Sequence, residues 1–239
     1  MRLDKLLSNM GAGSRKEVKL LLKAGAIQVD GEIVRDPKQH VDVETQHVLM
    51  YGEPVTYQKY IYLMMNKPPG VISATEDKRD ETVIDLLFED VTYFKPFPVG
   101  RLDKDTEGLL LLTNDGSFNH ALMSPKKHVE KTYYAEVTGV LTQEDVEAIA
   151  VGVTLEDGYQ AKPGKLVILS TTETDSTLEL TITEGKFHQV KRMMLALGKE
   201  VTFLKRRSIG RLELDPSLAL GDYRELTQEE LALFDWQPE

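Results

Sequence analysis

The sequence predicts an α+β protein with a small N-terminal part and a larger part that mixes strands and helices. Three observations favour this class: an amphipathic helical pattern at the start, a hairpin signal soon after it, and later strands that do not alternate regularly with helices. A doubly wound parallel sheet would need that regular alternation.

The chain is predicted to begin with two helices. Apolar residues recur at the spacing of one helix face over residues 3–10, and a glycine pair then ends the pattern. Ser14 and Glu17 have the spacing of a capping box, which predicts the start of a second helix. The charged face of this helix carries four basic residues: Arg15, Lys16, Lys19 and Lys23.

Short strands should follow the second helix. Asp30-Gly31 predicts a hairpin turn between two of them, and we expect further strands near residues 41–43 and 47–50. A new apolar strand starts at Tyr60, which places a domain boundary near residue 58. Residues 1–58 hold eight basic and eight acidic side chains, so the whole net charge of −10 belongs to residues 59–239.

The larger part is predicted to contain several buried strands. The clearest is the apolar run that ends before Asn114-Asp115-Gly116, which we interpret as a strand followed by a turn. We expect strands at 60–65, 109–113, 133–137, 165–169 and 178–183, helices at 144–151 and 189–197, and a last short helix that Thr227 caps.

The composition of the 239-residue chain excludes several classes of protein. With 29 basic and 39 acidic residues, it is not a uniformly basic nucleic-acid binder, although local basic patches remain compatible with RNA. The absence of cysteine excludes disulfides, cysteine-based zinc sites and thiol nucleophiles. No signal peptide or membrane-spanning run is present, so we expect a soluble, cytoplasmic protein, with a monomer as the default.

Common catalytic and cofactor motifs are absent from the sequence. Gly11-Ala12-Gly13 resembles the start of a dinucleotide-binding turn, but it follows a helix rather than a strand. Glu184 and His188 have the i, i+4 spacing of metal ligands on a helix, yet a third ligand is missing. The case for a metal site is therefore weak.

Two basic clusters interrupt the acidic larger part. Either cluster alone is compatible with a solvated surface, but together they favour a groove for phosphates. The first contains Lys186, His188, Lys191 and Arg192, and the second contains Lys205, Arg206, Arg207 and Arg211.

The most informative segment covers residues 100–116. It places Arg101, Asp103 and Thr106 in a polar loop that leads into a buried strand, where a rigid sheet can position them. From physical chemistry alone, the alternative of a loop whose aspartate bonds its own backbone stays open.

The same segment closely resembles the signature of the RsuA-type family of RNA pseudouridine synthases. Residues 2–50 resemble an S4 RNA-binding domain. Three further segments, 66–70, 131–133 and 184–193, resemble the remaining motifs of the catalytic domain. The segments Ser124-Pro125-Lys126 and Gly221-Asp222-Tyr223-Arg224 are more similar to the small-subunit rRNA enzymes of the family than to the large-subunit ones.

This resemblance implies a fold and an activity. The expected fold is an S4-like domain over 1–58 and a catalytic domain with a mixed, largely antiparallel sheet over 59–239. The expected activity is the isomerisation of one uridine in 16S rRNA, without cofactor or metal. The substrate would be 16S rRNA or an assembly intermediate of the small subunit.

The resemblance also implies roles for individual residues. Asp103 matches the family's catalytic aspartate, which attacks the sugar, attacks the base or assists loss of a sugar proton. Tyr133 matches the tyrosine that packs on the base, and Lys191 the cation that favours the ionised carboxylate. Arg101 matches a residue that holds the base flipped out of the RNA. Two alternatives remain: a synthase for a 23S rRNA site, and a ribosome-assembly protein without catalytic activity.

Overall fold

The computed structural model of the protein describes residues 1–124 and 127–237, so Pro125 and Lys126 of one family-like segment lie outside it. The chain divides into two compact units. The first contains residues 1–61 and 87–96, and the second contains residues 62–86 and 97–239. The described part holds no helix long and apolar enough to span a membrane.

The first unit joins short helices to a small sheet. Its elements are α1 (Leu3–Asn9), α2 (Arg15–Ala24), β1 (Ile27–Val29), β2 (Glu32–Ile33), β3 (Val48–Met50), β4 (Glu53–Pro54) and α3 (Glu89–Thr92). Neighbouring strands are all antiparallel and lie in the order β2-β1-β3-β4.

Local signals in the first unit are confirmed. Ser14 and Glu17 form the capping box at the start of α2, and Leu3, Leu6 and Leu7 of α1 are buried in the core of this unit. Asp30 and Gly31 both have positive φ and join β1 to β2. Both residues tolerate that backbone conformation, which the tight hairpin turn requires.

The strand expected at residues 41–43 is wrong. Val41 is buried, and its N–H donates to the carbonyl of Met1. The strand-like pairing there is limited to an isolated bridge between Arg2 and His40. Asp42 then starts a turn by accepting a hydrogen bond from the Glu44 N–H. The apolar alternation there reflects burial of a loop.

The second unit is built on a mixed sheet. The strands are β5 (Tyr62–Lys67), β6 (Phe97–Val99), β7 (Glu107–Thr113), β8 (Lys131–Thr138), β9 (Lys165–Thr171), β10 (Asp175–Ile182), β11 (Glu200–Ile209), β12 (Leu212–Glu213) and β13 (Tyr223–Glu225). Seven of them lie in the order β13-β5-β7-β11-β8-β10-β9, with β12 beside β11 and β6 beside β7. These pairs are antiparallel except β7 with β11.

The helices of this unit are α4 (Gly116–Met123), α5 (Gln143–Val151), α6 (Gln189–Ala196) and α7 (Gln228–Ala232). The segment 114–116 does more than the predicted turn. Asp115 accepts hydrogen bonds from the N–H groups of Ser117 and Phe118, and it thereby caps α4. The α+β class and the mixed, largely antiparallel sheet are confirmed.

One glycine allows the parallel pair at the centre of this sheet. Gly108 of β7 lies beside Arg206 of β11 and has a φ of +102°. A Cβ atom at this position would lie 2.2 Å from the carbonyl oxygen of Arg206. The two backbones can therefore approach only because residue 108 has no side chain.

Candidate active site

The loop of residues 101–106 connects β6 to β7 and is held by the segment that follows β5. The fully buried Lys67 Nζ donates to the carbonyls of Pro68, Lys104 and Thr106 at 2.9, 3.4 and 3.0 Å. The Gly70 N–H also donates to the Lys104 carbonyl, at 2.7 Å. These bonds fix the backbone on the C-terminal side of Asp103.

The other side of Asp103 is fixed as well. The Ser73 hydroxyl is buried, donates to the Leu102 carbonyl and accepts from the Leu102 N–H, each at 3.0 Å. The carbonyl of Asp103 itself accepts from the Thr106 N–H at 3.1 Å. Asp103 therefore projects from a backbone that is bonded on both sides, as a preorganised site requires.

Lys67 is a buried ammonium group with an altered acidity. Burial lowers the pKa of Lys67 to about 8, whereas the negative charges of Asp105, Asp103 and Glu107 act in the opposite direction. Three backbone carbonyls thus bind one buried nitrogen beneath the loop, and the charges of three carboxylates partly offset the effect of its burial.

Two basic side chains lie near the carboxylate of Asp103. His188 Nε2 is 3.7 Å from Oδ1 and Lys191 Nζ is 3.7 Å from Oδ2. Lys191 is closer to Asp105, whose two carboxylate oxygens it contacts at 2.6 and 2.7 Å. That bond is the main reason why the pKa of Asp105 is lowered. Lys191 is therefore shared between two carboxylates, with Asp105 as its stronger partner.

Tyr133 shares a small cleft of about 60 Å³ with Asp103. Arg101, Lys186 and His188 also line this cleft. Tyr133 comes from β8 and is buried, while Arg101 is exposed at the start of the loop. The fold therefore brings three separate sequence segments to one place: the 101–106 loop, β8 and the turn before α6.

The turn before α6 carries an unusual backbone conformation. His188 has a φ of +50°, which is uncommon for a residue other than glycine, and it precedes the first residue of α6. The ring of Phe187 stacks on the ring of His188 at 3.7 Å, and Phe187 is largely exposed. Strain of this kind concentrates at functional sites.

The first basic cluster of the sequence is only partly available to a ligand. Arg192 binds Glu156 and Asp157 at 2.6 Å each, so its charge is already compensated. Lys186 lies over the ring of Tyr159, with Nζ 4.9 Å from the ring centre. Of this cluster, Lys186, His188 and Lys191 border the Asp103 cleft or its carboxylate.

The side chains of the second basic cluster do not all point in the same direction. It lies largely on β11, where successive side chains point to opposite faces of the sheet. Arg206 points inward and is 2% exposed, whereas Lys205 and Arg207 line a different cleft, together with Glu213 and Asp215. Arg206 instead lines a cleft together with Lys186 of the first cluster. A phosphate groove that includes members of both clusters therefore stays a prediction.

The four basic residues of α2 are exposed, as a docking surface requires. The helix turns Val18 and Leu22 into the core of the first unit and leaves the charged residues on the opposite face. These exposed residues are Arg15, Lys16, Lys19 and Lys23.

The sequence alone did not assign a role to two residues of the site, Lys67 and Asp105. Lys67 lies in the segment 66–70, whose resemblance to a family motif is visible, but burial of its ammonium group is not. Asp105 is one of two carboxylates in its loop. Only the contact with Lys191, which lies 86 residues away, distinguishes it.

Across the described residues, no group of three His, Asp or Glu side chains is arranged to hold a metal ion.

The fold and this site define a class of protein. Residues 61–196 match the family model of RNA pseudouridylate synthases, and residues 1–47 match that of the S4 domain. The chain therefore belongs to the RNA pseudouridylate synthase family, as a member of the RsuA/RluB type with an N-terminal S4 domain. It is an RNA pseudouridine synthase.

Individual relatives cover almost the whole chain. YtzG, an uncharacterized RNA pseudouridine synthase of Bacillus subtilis (strain 168), is 58% identical over 98% of both chains. The ribosomal small subunit pseudouridine synthase A of Yersinia pestis is 41% identical over 97% of both chains. The ribosomal large subunit pseudouridine synthase B of Bacillus subtilis is 39% identical over 96% of this chain and 93% of its own.

A solved structure agrees with the observed fold. A crystal structure of a pseudouridylate synthase superposes with a TM-score of 0.68 and 36% sequence identity, over 98% of this chain and 99% of that one. Each of the two units therefore has a counterpart in a known synthase.

Proposed function

We propose that the protein converts one uridine of 16S rRNA to pseudouridine and that Asp103 is its catalytic carboxylate. In this reaction the N1–C1′ bond breaks, a C5–C1′ bond forms, C5 loses a proton and N1 gains one. The observation that carries the proposal is the position of Asp103, 3.7 Å from both His188 and Lys191, in the cleft that Tyr133 also lines.

The surroundings of Asp103 suit a carboxylate that acts in its ionised form. Both neighbouring nitrogens stabilise a negative charge, with His188 doing so when it is protonated. Lys191 has Asp105 as a second partner, so it can stay close to the site without forming its tightest bond to Asp103. A carboxylate that is not tied up in a short ion pair remains free to react.

Tyr133 and Arg101 are proposed to handle the base. A buried tyrosine on a strand offers a fixed flat surface on which uracil can pack, and its hydroxyl can help to remove the C5 proton. Arg101 is exposed at the rim of the same cleft. It is therefore suited to enter the RNA and occupy the space that the flipped base leaves.

The first unit is proposed to dock on the RNA. Its exposed basic helix face belongs to the S4 match, and basic faces bind phosphates through charge and release of counterions. We propose that residues 1–58 act as the docking module and residues 59–239 as the catalytic module.

The choice of 16S rRNA depends on finer features of the sequence. Residues 124–126 and 221–224 resemble the small-subunit enzymes. In the structure, however, Arg224 binds Asp215 and Glu230, so this part of the likeness supports the fold of the region rather than RNA contact. The large-subunit relative at 39% identity makes a 23S rRNA site the second candidate.

A deletion strain tests the proposal and its alternative together. We expect chemical mapping to show the loss of one pseudouridine from 16S rRNA and its return when the wild-type gene is restored. Asp103→Asn should not restore it, while the matched loop variant Asp105→Asn should restore it at least in part. Loss from 23S rRNA instead would select the second candidate, and restoration by Asp103→Asn would refute the catalytic assignment.

A further inference from the structure

A second and larger cleft adjoins the Asp103 cleft. It has a volume of about 570 Å³ and shares Arg101, Tyr133 and Lys186 with the smaller cleft. Its inner wall is formed by Lys131 of β8 and Arg206 of β11. A molecule that occupies the Asp103 cleft can therefore continue into this second cleft past Tyr133.

The inner wall carries two buried positive charges. Lys131 is 9% exposed and Arg206 is 2% exposed. Tyr133 and Arg206 are paired across β8 and β11, and Lys131 precedes Tyr133 by two residues on the same face. All three side chains therefore point to one side of the sheet.

These charges lack a negative partner within the described part of the chain. Neither Lys131 nor Arg206 forms an ion pair there. Lys131 donates to the Val129 carbonyl at 3.1 Å, and Arg206 Nε donates to the Leu109 carbonyl at 2.8 Å. Arg206 Nη2 is buried and has no hydrogen-bond partner in the same residues. Two like charges buried together destabilise a fold unless something compensates them.

Repulsion between the two cations, Lys131 and Arg206, affects the pKa of the lysine. Burial lowers the pKa of Lys131, and the nearby positive charge of Arg206 lowers it further. Among the described residues, the one carboxylate that lines this cleft belongs to Glu184. It already accepts hydrogen bonds from the Tyr159 hydroxyl and the Lys162 N–H, at 2.9 and 2.7 Å.

We propose that this second cleft binds a phosphodiester group of the RNA strand next to the target uridine, with Lys131 and Arg206 as its buried positive wall. The inference rests on the proposed function, because a single RNA strand would then occupy both clefts. A phosphate supplies the missing negative charge and accepts hydrogen bonds from ammonium and guanidinium groups. Its binding offsets the cost of burying the two cations.

The first experiment measures anion binding without RNA. Inorganic phosphate should raise the Tm of the wild-type protein above its value in chloride of equal ionic strength. Lys131→Met should lose most of that rise, while Lys165→Met, which removes an exposed lysine of β9, should keep it. The comparison of variants matters because phosphate also stabilises folded proteins in general. An equal rise in all three proteins would overturn the proposal.

The second experiment measures RNA binding in the Asp103→Asn background, so its result does not depend on catalysis. We expect Lys131→Met to weaken binding of an RNA that contains the target uridine by about tenfold. The slope of log affinity against log salt should fall by about 0.7, the value for one phosphate contact on a single strand. The Lys165→Met control should show neither change.

The two experiments also distinguish an RNA phosphate from a free anion and from a purely structural lysine. If Lys131→Met abolishes the effect of phosphate but leaves RNA affinity and salt slope unchanged, the cleft binds a free anion and the proposal is wrong. If Lys131→Met lowers Tm in chloride and leaves RNA affinity unchanged, the lysine is only structural and the proposal is equally wrong. Removing an uncompensated buried charge should instead leave Tm in chloride unchanged or higher.

Discussion

Replacing Lys67 by methionine tests how the active-site loop is held. Methionine keeps much of the volume of lysine but donates no hydrogen bond. Three carbonyls, of Pro68, Lys104 and Thr106, would lose their bond to the ammonium group. Because two of these carbonyls follow Asp103 within three residues, we expect kcat to fall more than KM rises.

The charge of Lys67 also predicts a pH dependence of stability. Its pKa is about 8 in the folded protein, compared with 10.5 for an unperturbed lysine. Between these values the unfolded state binds more protons than the folded state, so stability increases with pH. For one such group, the linkage relation gives a gain of about 2 kcal/mol between pH 7 and pH 9.5.

Urea unfolding of the wild-type protein and of Lys67→Met measures this gain. Other groups titrate in the same range, so the quantity to compare is the difference in free energy of unfolding between the two proteins at each pH. That difference should shift in favour of the wild type by about 2 kcal/mol from pH 7 to pH 9.5. A constant difference would show that Lys67 is not a destabilised buried ammonium group. Its role in holding the loop is tested separately by kcat, and an unchanged kcat in Lys67→Met would contradict that role.

Two further predictions concern the sheet and the carboxylates of the loop. Gly108→Ala should lower the free energy of unfolding by about 3 kcal/mol, because its Cβ meets a backbone oxygen at 2.2 Å. Urea unfolding should show almost no loss for the control Gly116→Ala, whose Cβ meets nothing within 4 Å. Lys191→Met should raise the pKa of Asp105, because their hydrogen bond is the main cause of the lowered value. An NMR titration of the carboxyl carbon measures this, and an unchanged pKa would remove Lys191 from the carboxylate pair.

Some features of this protein were determined by short stretches of sequence. Two local features were predictable because each depends on residues that are close together in the chain. These are the capping box of Ser14 and Glu17 and the Asp30-Gly31 turn. The polar loop around Asp103 was predictable because the apolar run after it forms a buried strand. The family signature in residues 100–116 could identify the class of reaction because the whole motif is continuous in the chain.

Only the tertiary structure decided the burial and the partners of the charged residues. Lys205 and Arg206 are adjacent in sequence, but Lys205 lines the cleft that also contains Glu213 and Asp215, whereas Arg206 is buried beside Tyr133. The two side chains differ because β11 lies between two other strands of the sheet, so its alternate residues point to opposite faces. Lys191 binds Asp105 more closely than Asp103, although both carboxylates belong to one loop. These outcomes depend on burial and on partners far away in the chain. Local sequence encodes backbone conformation, but the electrostatic environment of a side chain is set by which distant elements pack around it.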